Sequence, residues 1–284
     1  MNKNPHRYIV RLVFICLLAL IFIPGLDAQD TIQADTADSN LNEWMEQSRA
    51  QRFRDNGPIY VETIKYFASD SDHFIIEPFN TASAVLFILI AIWFIYRYRK
   101  ENMRSTFILY AVIMLLIGGI SGTIYHALRI WPVFMYVDGG TIGVLMFSFS
   151  SWVIFKLSGK IWFSILAIPL GMGLVFMMIG FLIRSGVNFN PSLFYAMMGV
   201  IIIIPLIVYL VKTNFRGGRF ILLALLAFSI AVFSRAFDLK STLPMGSHFL
   251  WHVSGALATI FMFYYVWAEE KLRLNLAHKT SNIS

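Results

Sequence analysis

His248 and His252 stand four residues apart in the stretch GSHFLWH, where a long apolar run begins. On a helix, side chains at i and i+4 project from the same face. The pair can therefore present two imidazoles to one ion, and a third imidazole from a neighbouring helix would complete a three-histidine site with an open fourth position. That is a catalytic arrangement for zinc, with metal–nitrogen bonds of about 2.0–2.1 Å. Such an ion brings the pKa of water to about 7, and a nearby carboxylate can take the proton and pass it to a leaving group. The plainer reading is a pair of hydrogen-bonded packing histidines. Axial ligation of one haem by both is ruled out, because one helix cannot put its two histidines on opposite faces of the same iron.

The elements that must position these residues are membrane helices. The chain of 284 residues is 58% hydrophobic and only 14% charged, whereas soluble domains are nearer half apolar and a quarter charged. Its apolar residues come in runs of about 20, the length that spans a bilayer as a helix. The expected architecture is an all-α integral membrane protein: a seven-transmembrane helix bundle after an N-terminal signal peptide. Residues 1–28 carry Lys3, Arg7 and Arg11, then LVFICLLALIFI, then PGLDA, the three-part pattern of a signal peptide. Residues 29–76 form an extracytoplasmic segment, polar and without strong periodicity over 29–56. The membrane domain covers 77–270, with spans near 80–98, 105–126, 132–155, 161–183, 192–211, 219–237 and 247–268, and 271–284 is a cytoplasmic tail. Alternate connections hold twelve Lys and Arg (97, 99, 100, 104, 156, 160, 212, 216, 219, 271, 273, 279) against four (129, 184, 235, 240). The richer set belongs in the cytoplasm, so the mature N-terminus lies outside and the C-terminus inside, in what reads as a bacterial inner membrane. The net charge of +7 is then loop charge and gives no argument for nucleic acid. One cysteine, Cys16, excludes an internal disulfide framework. No obligate protein partner is evident.

With this topology the polar residues sort by depth. His126 ends the second span and Asp138 starts the third. His248 and His252 start the seventh, and Glu77 and Asn80 open the first. Three histidines and two carboxylates thus converge on one outer level of the membrane. Ionisable groups there cost several kcal/mol each and normally face a cavity or one another, which raises the metal reading well above what the HxxxH pair carries alone.

Glu-x-x-Asn-Thr (Glu77, Asn80, Thr81), Tyr125-His126, Asp138 and His-x-x-Trp-His (His248, Trp251, His252) occur in an order that resembles the alkaline ceramidase family, within the CREST superfamily of seven-helix membrane hydrolases. The likeness covers roughly residues 57–270 and is strongest at the last motif. It implies zinc-dependent hydrolysis of the amide bond of ceramide-like membrane lipids, with His126, His248 and His252 as zinc ligands and Asp138 as the proton-handling carboxylate. The family's serine four residues before the second-helix histidine is replaced here by Gly122, so the hydroxyl would come from Ser121 or Thr123. Eukaryotic members also bind calcium through an Asp-Trp-x-Glu stretch and the Glu that opens the first helix. Glu62 and Glu77 match, the Asp does not, and Asp70 and Asp72 are the nearby substitutes; the missing Asp argues against Ca2+.

Other residues keep two readings. Asp238 either pairs with Arg235 at a helix end or, like Asn80, orients a zinc ligand from behind. The Met and Phe over 172–198 either face lipid or line a groove for acyl chains. A lipid amidase is the expectation. The alternatives are a seven-helix lipid-sensing receptor with a structural zinc site, and a transporter. The transporter is disfavoured because Pro169 and Pro205, the span-interior prolines, lack the internal repeat such folds show.

Overall fold

The computed structural model describes residues 57–69, 74–186 and 191–281. The expected signal peptide, residues 29–56, and Asp70 and Asp72 lie outside them. Among the described residues the structure is helical, without strands. A short helix α1 (Val61–Ala68) precedes α2 (Pro78–Lys100), α3 (Thr106–Leu128), α4 (Pro132–Ser158), α5 (Ile161–Arg184), α6 (Pro191–Lys212), α7 (Gly218–Ala236) and α8 (His248–Ser281), with one 3-10 turn, Asp238–Lys240, before α8.

Six of these helices, all but α1 and α6, are long and apolar enough to cross a bilayer. The chain is a multi-pass membrane protein. The expected span 192–211 coincides with α6, but the apolar stretch described there, Ile202–Lys212, is shorter than a span. The helix ends follow local chemistry. Pro132 sits at the first position of α4, where its missing N–H costs nothing. Gly159 closes α4 in the left-handed conformation at φ 66°. The last helix overruns its expected end, reaching Ser281; the segment AEEKLRLNLAH is rich in strong helix formers and has no Gly or Pro to stop it.

The helices form a ring. Each of α2, α3 and α4 packs on the next, α4 on α6, α6 on α7 and α7 on α8, and α8 closes the ring on α2. α5 lies against α4 and α6 and is the most outward span, with 18% of its apolar stretch buried against 33–44% for the others. Large apolar side chains such as Leu89, Trp93, Ile120, Leu170 and Phe176 cover the outside, as a lipid-facing surface requires. Inside, Phe94, Ile108, Val153 and Tyr265 are fully enclosed.

At the end of the bundle away from the histidines, two adjacent acids of α8 hold the ring together. Glu270 accepts from Ser105 Oγ (2.9 Å), Trp152 Nε1 (3.1 Å) and Lys156 Nζ (2.7 Å), and pairs with Arg273. Glu269 accepts two bonds from Arg216, both 2.7 Å, and one from Tyr209 OH at 2.6 Å. Buried carboxylates are tolerated when charged and hydrogen-bonded partners surround them, and these partners come from α4, α6, the turns that precede α3 and α7, and, for Arg273, from α8 itself.

Candidate metal centre

The histidine end is built around Glu77. The two residues before α2 run along the end of α3, and the N–H groups of Ile76 and Glu77 donate to the carbonyls of Ala127 (3.0 Å) and His126 (3.2 Å). They thereby satisfy two of the carbonyls that a helix end leaves open. Glu77 is completely buried and takes four side-chain donors. Oε1 accepts from Thr63 Oγ1 and Arg129 Nη1, each at 2.5 Å, and Oε2 from His126 Nδ1 at 2.5 Å and Asn80 Nδ2 at 3.1 Å. Arg129 reaches inward because it terminates α3 in the left-handed conformation at φ 50°, a state that costs a non-glycine residue about 1 kcal/mol or more. Burial alone would raise the Glu77 pKa; Arg129 and the bonds from His126 and Thr63 outweigh it and hold the carboxyl at about 2. Arg129 and these donors thus hold Glu77 as the anion. It fixes the proton of His126 on Nδ1 and leaves Nε2 with a lone pair.

His248 and His252 enter from the first turn of α8, whose N-terminus is held by Asp238. Its Oδ1 accepts from the N–H groups of Ser247 (2.6 Å) and His248 (2.7 Å), and Oδ2 from Val61 N (3.0 Å). The chain passes under this carboxylate only because residue 246 is glycine: φ is +73°, and a Cβ there would collide with Asp238 Oδ1. Asp238 thus positions His248 through its backbone rather than through its ring, and Asn80 acts one shell further out, on Glu77.

The three imidazoles meet with ring centroids 4.8–5.2 Å apart. One donor atom from each lies within 4.8 Å of the others, and all three residues are buried. The Nε2 atoms of His248 and His252 face each other at 3.2 Å. Two nitrogens bound tetrahedrally at zinc's bond length would be about 3.3 Å apart. The Nδ1 atoms of both residues are buried without a hydrogen-bond partner among the described residues. These rings therefore have only the shared Nε2 edge for a polar contact, and a cation there would satisfy lone pairs that otherwise oppose each other. The donor set fits a divalent ion that prefers nitrogen.

Asp138 comes from α4 and lies against α3 where α3 has no side chain. A Cβ on Gly122 would be 2.6 Å from its Oδ1. Gly122 thus leaves the space that the carboxylate occupies. Asp138 also lines a cavity of about 230 Å³ that continues down the bundle between Gly118, Thr141, Trp251, Ile202 and Phe263. The histidines do not line this cavity; Asp138 does, and it lies within electrostatic reach of His126. On α8 its lining runs from Trp251 to Val266, about 22 Å at 1.5 Å per residue.

The two candidate hydroxyls are engaged elsewhere. Ser121 donates to the Phe134 carbonyl at 2.8 Å, joining α3 to α4, and Thr123 bonds back to the Gly119 carbonyl at 2.7 Å. Glu62 caps α2, its carboxylate accepting from Phe79 N and Asn80 N at 2.8 Å each; burial nevertheless raises its pKa to about 7. Of the calcium candidates, then, Glu62 and Glu77 present their oxygens to N–H and O–H donors, and the positive charge facing Glu77 is the Arg129 guanidinium. Three residues that the sequence did not single out belong to the site: Arg129, Thr63 and Tyr60. Tyr60 stacks on His248 with centroids 3.8 Å apart and planes 19° from parallel. Arg129 carries a signal, its position three residues past His126, but in the sequence it reads as loop charge. Tyr60 and Thr63 carried none, since α1 is too short to show a period.

Comparison with protein-family models, curated proteins and solved structures gives no match to this chain.

Glu77→Gln keeps the size of the side chain but removes its charge and sets an amide NH2 against two donors. If the three histidines hold a divalent ion, the substitution should weaken that binding about 10- to 100-fold, the usual effect of removing a carboxylate behind a histidine ligand. Competition of the purified protein with a chromogenic chelator measures this, and unchanged affinity would separate Glu77 from the metal.

Proposed function

We propose that the protein is a zinc-dependent intramembrane hydrolase that cleaves the amide bond of ceramide-like N-acyl lipids. The observation that carries the reading is Asp138. One acid lines a long apolar cavity and lies within electrostatic reach of His126, one of a buried set of three imidazoles, which is where a scissile bond would have to lie if its acyl chain filled the cavity. The resemblance to the alkaline ceramidases supports the same assignment for His126, His248, His252 and Asp138.

His126, His248 and His252 would hold the ion, which supplies Lewis acidity toward a carbonyl and acidifies water at neutral pH. Asp138 accepts the proton of the attacking water on a carboxylate oxygen and returns it to the departing nitrogen, so that a C–O bond forms as the C–N bond breaks and a fatty acid and an amine leave. Glu77 keeps His126 in the metal-binding tautomer. The apolar lining, with Trp251 at its outer end and Phe263 deep inside, excludes water from the acyl chain.

In this reading α6 is also a span, which brings the number to seven, and the Lys and Arg bias supports a metal centre at the outer leaflet of a bacterial inner membrane, behind a cleaved signal peptide. A lipid-sensing protein with a structural zinc is the second reading. It is favoured by the depth of the imidazoles, each 1–2% exposed.

Asp138→Asn should retain about one zinc per chain and lose turnover of a labelled ceramide by roughly 10²-fold or more, the scale of general acid–base help. Parental turnover would remove Asp138 from the chemistry, and no cleavage of any N-acyl lipid by the unmodified protein would favour the sensor. For orientation, cysteines placed singly at Lys240 and Lys160, both exposed, in a Cys16→Ser background should react differently in intact cells. An impermeant maleimide should label position 240 alone; labelling of 160 alone would put the centre on the cytoplasmic side.

A further inference from the structure

The hydrolysis proposed above needs a hydrogen-bond donor for the carbonyl oxygen as it becomes negative, and the hydroxyls expected to serve are spent. Ser121 and Thr123 donate to main-chain carbonyls, Thr63 to Glu77, and Ser247 to the Ser234 carbonyl at 2.7 Å. Tyr125 turns its hydroxyl toward Gly57, on the side of Arg129.

Tyr60 remains. It is 4% exposed, and its ring covers one face of His248 while lying 5.7 Å, centroid to centroid, from His126. No hydrogen bond to its hydroxyl is found among the described residues, although its backbone is fully engaged: its N–H donates to Thr63 Oγ1 at 3.0 Å and its carbonyl accepts from Ile64 N at 3.1 Å. The charges arrayed about the phenol are those of the site itself, Arg235, Glu77, Arg129 and Asp138. Its position is also fixed rather than incidental. The Val61 N–H is held by Asp238, which also holds the N-terminus of α8, and Glu62 holds the N-terminus of α2. Thus α1 is strapped to the helices that carry Glu77 and two of the three histidines.

We infer that Tyr60 is a catalytic residue that donates its phenolic hydrogen to the substrate carbonyl oxygen, taking the place of the side-chain hydroxyl that Gly122 cannot provide. This rests on the hydrolase reading. No bond to Tyr60 forms or breaks; the phenol stabilises the developing oxyanion and is unchanged after the amine departs. A donor aimed at developing charge in a water-poor site typically contributes 10²- to 10³-fold to kcat.

The test uses the full zinc-loaded protein in detergent and its Tyr60→Phe variant, which keeps the stacked ring and removes one oxygen. Zinc content and melting temperature should be unchanged, kcat on a labelled ceramide should fall about 10²- to 10³-fold, and KM should stay within about threefold, because the interaction belongs to the transition state. Binding of octadecanohydroxamic acid to the cobalt-substituted protein, followed by visible absorption, gives a readout without turnover, and the variant should bind it about tenfold or more weakly. If the unmodified protein cleaves no N-acyl lipid, the hydrolase reading fails by itself and the hydroxamate titration still judges Tyr60. Equal hydroxamate affinity, or a parental kcat with only KM or stability altered, overturns the inference and leaves Tyr60 as packing on His248.

Discussion

A single buried carboxylate organises the histidine end of this protein. Glu77 lies where an isolated anion would be prohibitively expensive, and it is stable there because its donors come from three separate pieces of chain: Thr63 of α1, Asn80 of its own α2, and His126 and Arg129 at the end of α3. Removing any one leaves charge or hydrogen-bonding capacity unmatched in a low-dielectric setting, so the pieces hold their places together. The same arrangement sets the tautomer of a candidate metal ligand, which makes the folding constraint and the chemical one identical.

The remaining ionic groups extend this logic. Asp238 joins the start of α8 to α1 and so brings His248 and His252 to face His126. At the other end of the ring, Glu269 and Glu270 gather Arg216, Lys156, Tyr209 and Trp152 around α8. Between the two clamps the interior is apolar and holds the cavity. Asp138 is the exception. It projects into space made by Gly122, lines the cavity and lies within electrostatic reach of His126, without a share in either clamp. An acid so placed contributes little to holding helices together, which is why its presence weighs toward chemistry.

Much of this was legible in the sequence. Runs of about 20 apolar residues give helices that span a membrane, and their order sets the depth of each polar side chain. From depth alone His126, His248, His252, Glu77 and Asp138 fall at one level, and the structure brings them together. What was not legible depended on backbone detail. Arg129 looks like an outer-loop charge until the left-handed turn at the end of α3 swings it inward. Asp238 acts on the N–H of His248 rather than on its ring, a choice set by the tight passage at Gly246. Helix α1 has eight residues and no periodic signal, yet it delivers Thr63 and Tyr60. The hydroxyl of Ser121 or Thr123, which the resemblance implied, is engaged by main-chain carbonyls that spacing does not reveal.

The central claim is that His126, His248 and His252 bind one zinc ion through nitrogen and leave a position open. X-ray absorption at the zinc edge of the purified protein tests it most directly. The account predicts a four-coordinate spectrum with three nitrogen scatterers of imidazole type at about 2.0–2.1 Å and one further oxygen. Purified protein that takes up no zinc, or a spectrum with fewer than two imidazoles in the shell, would contradict it.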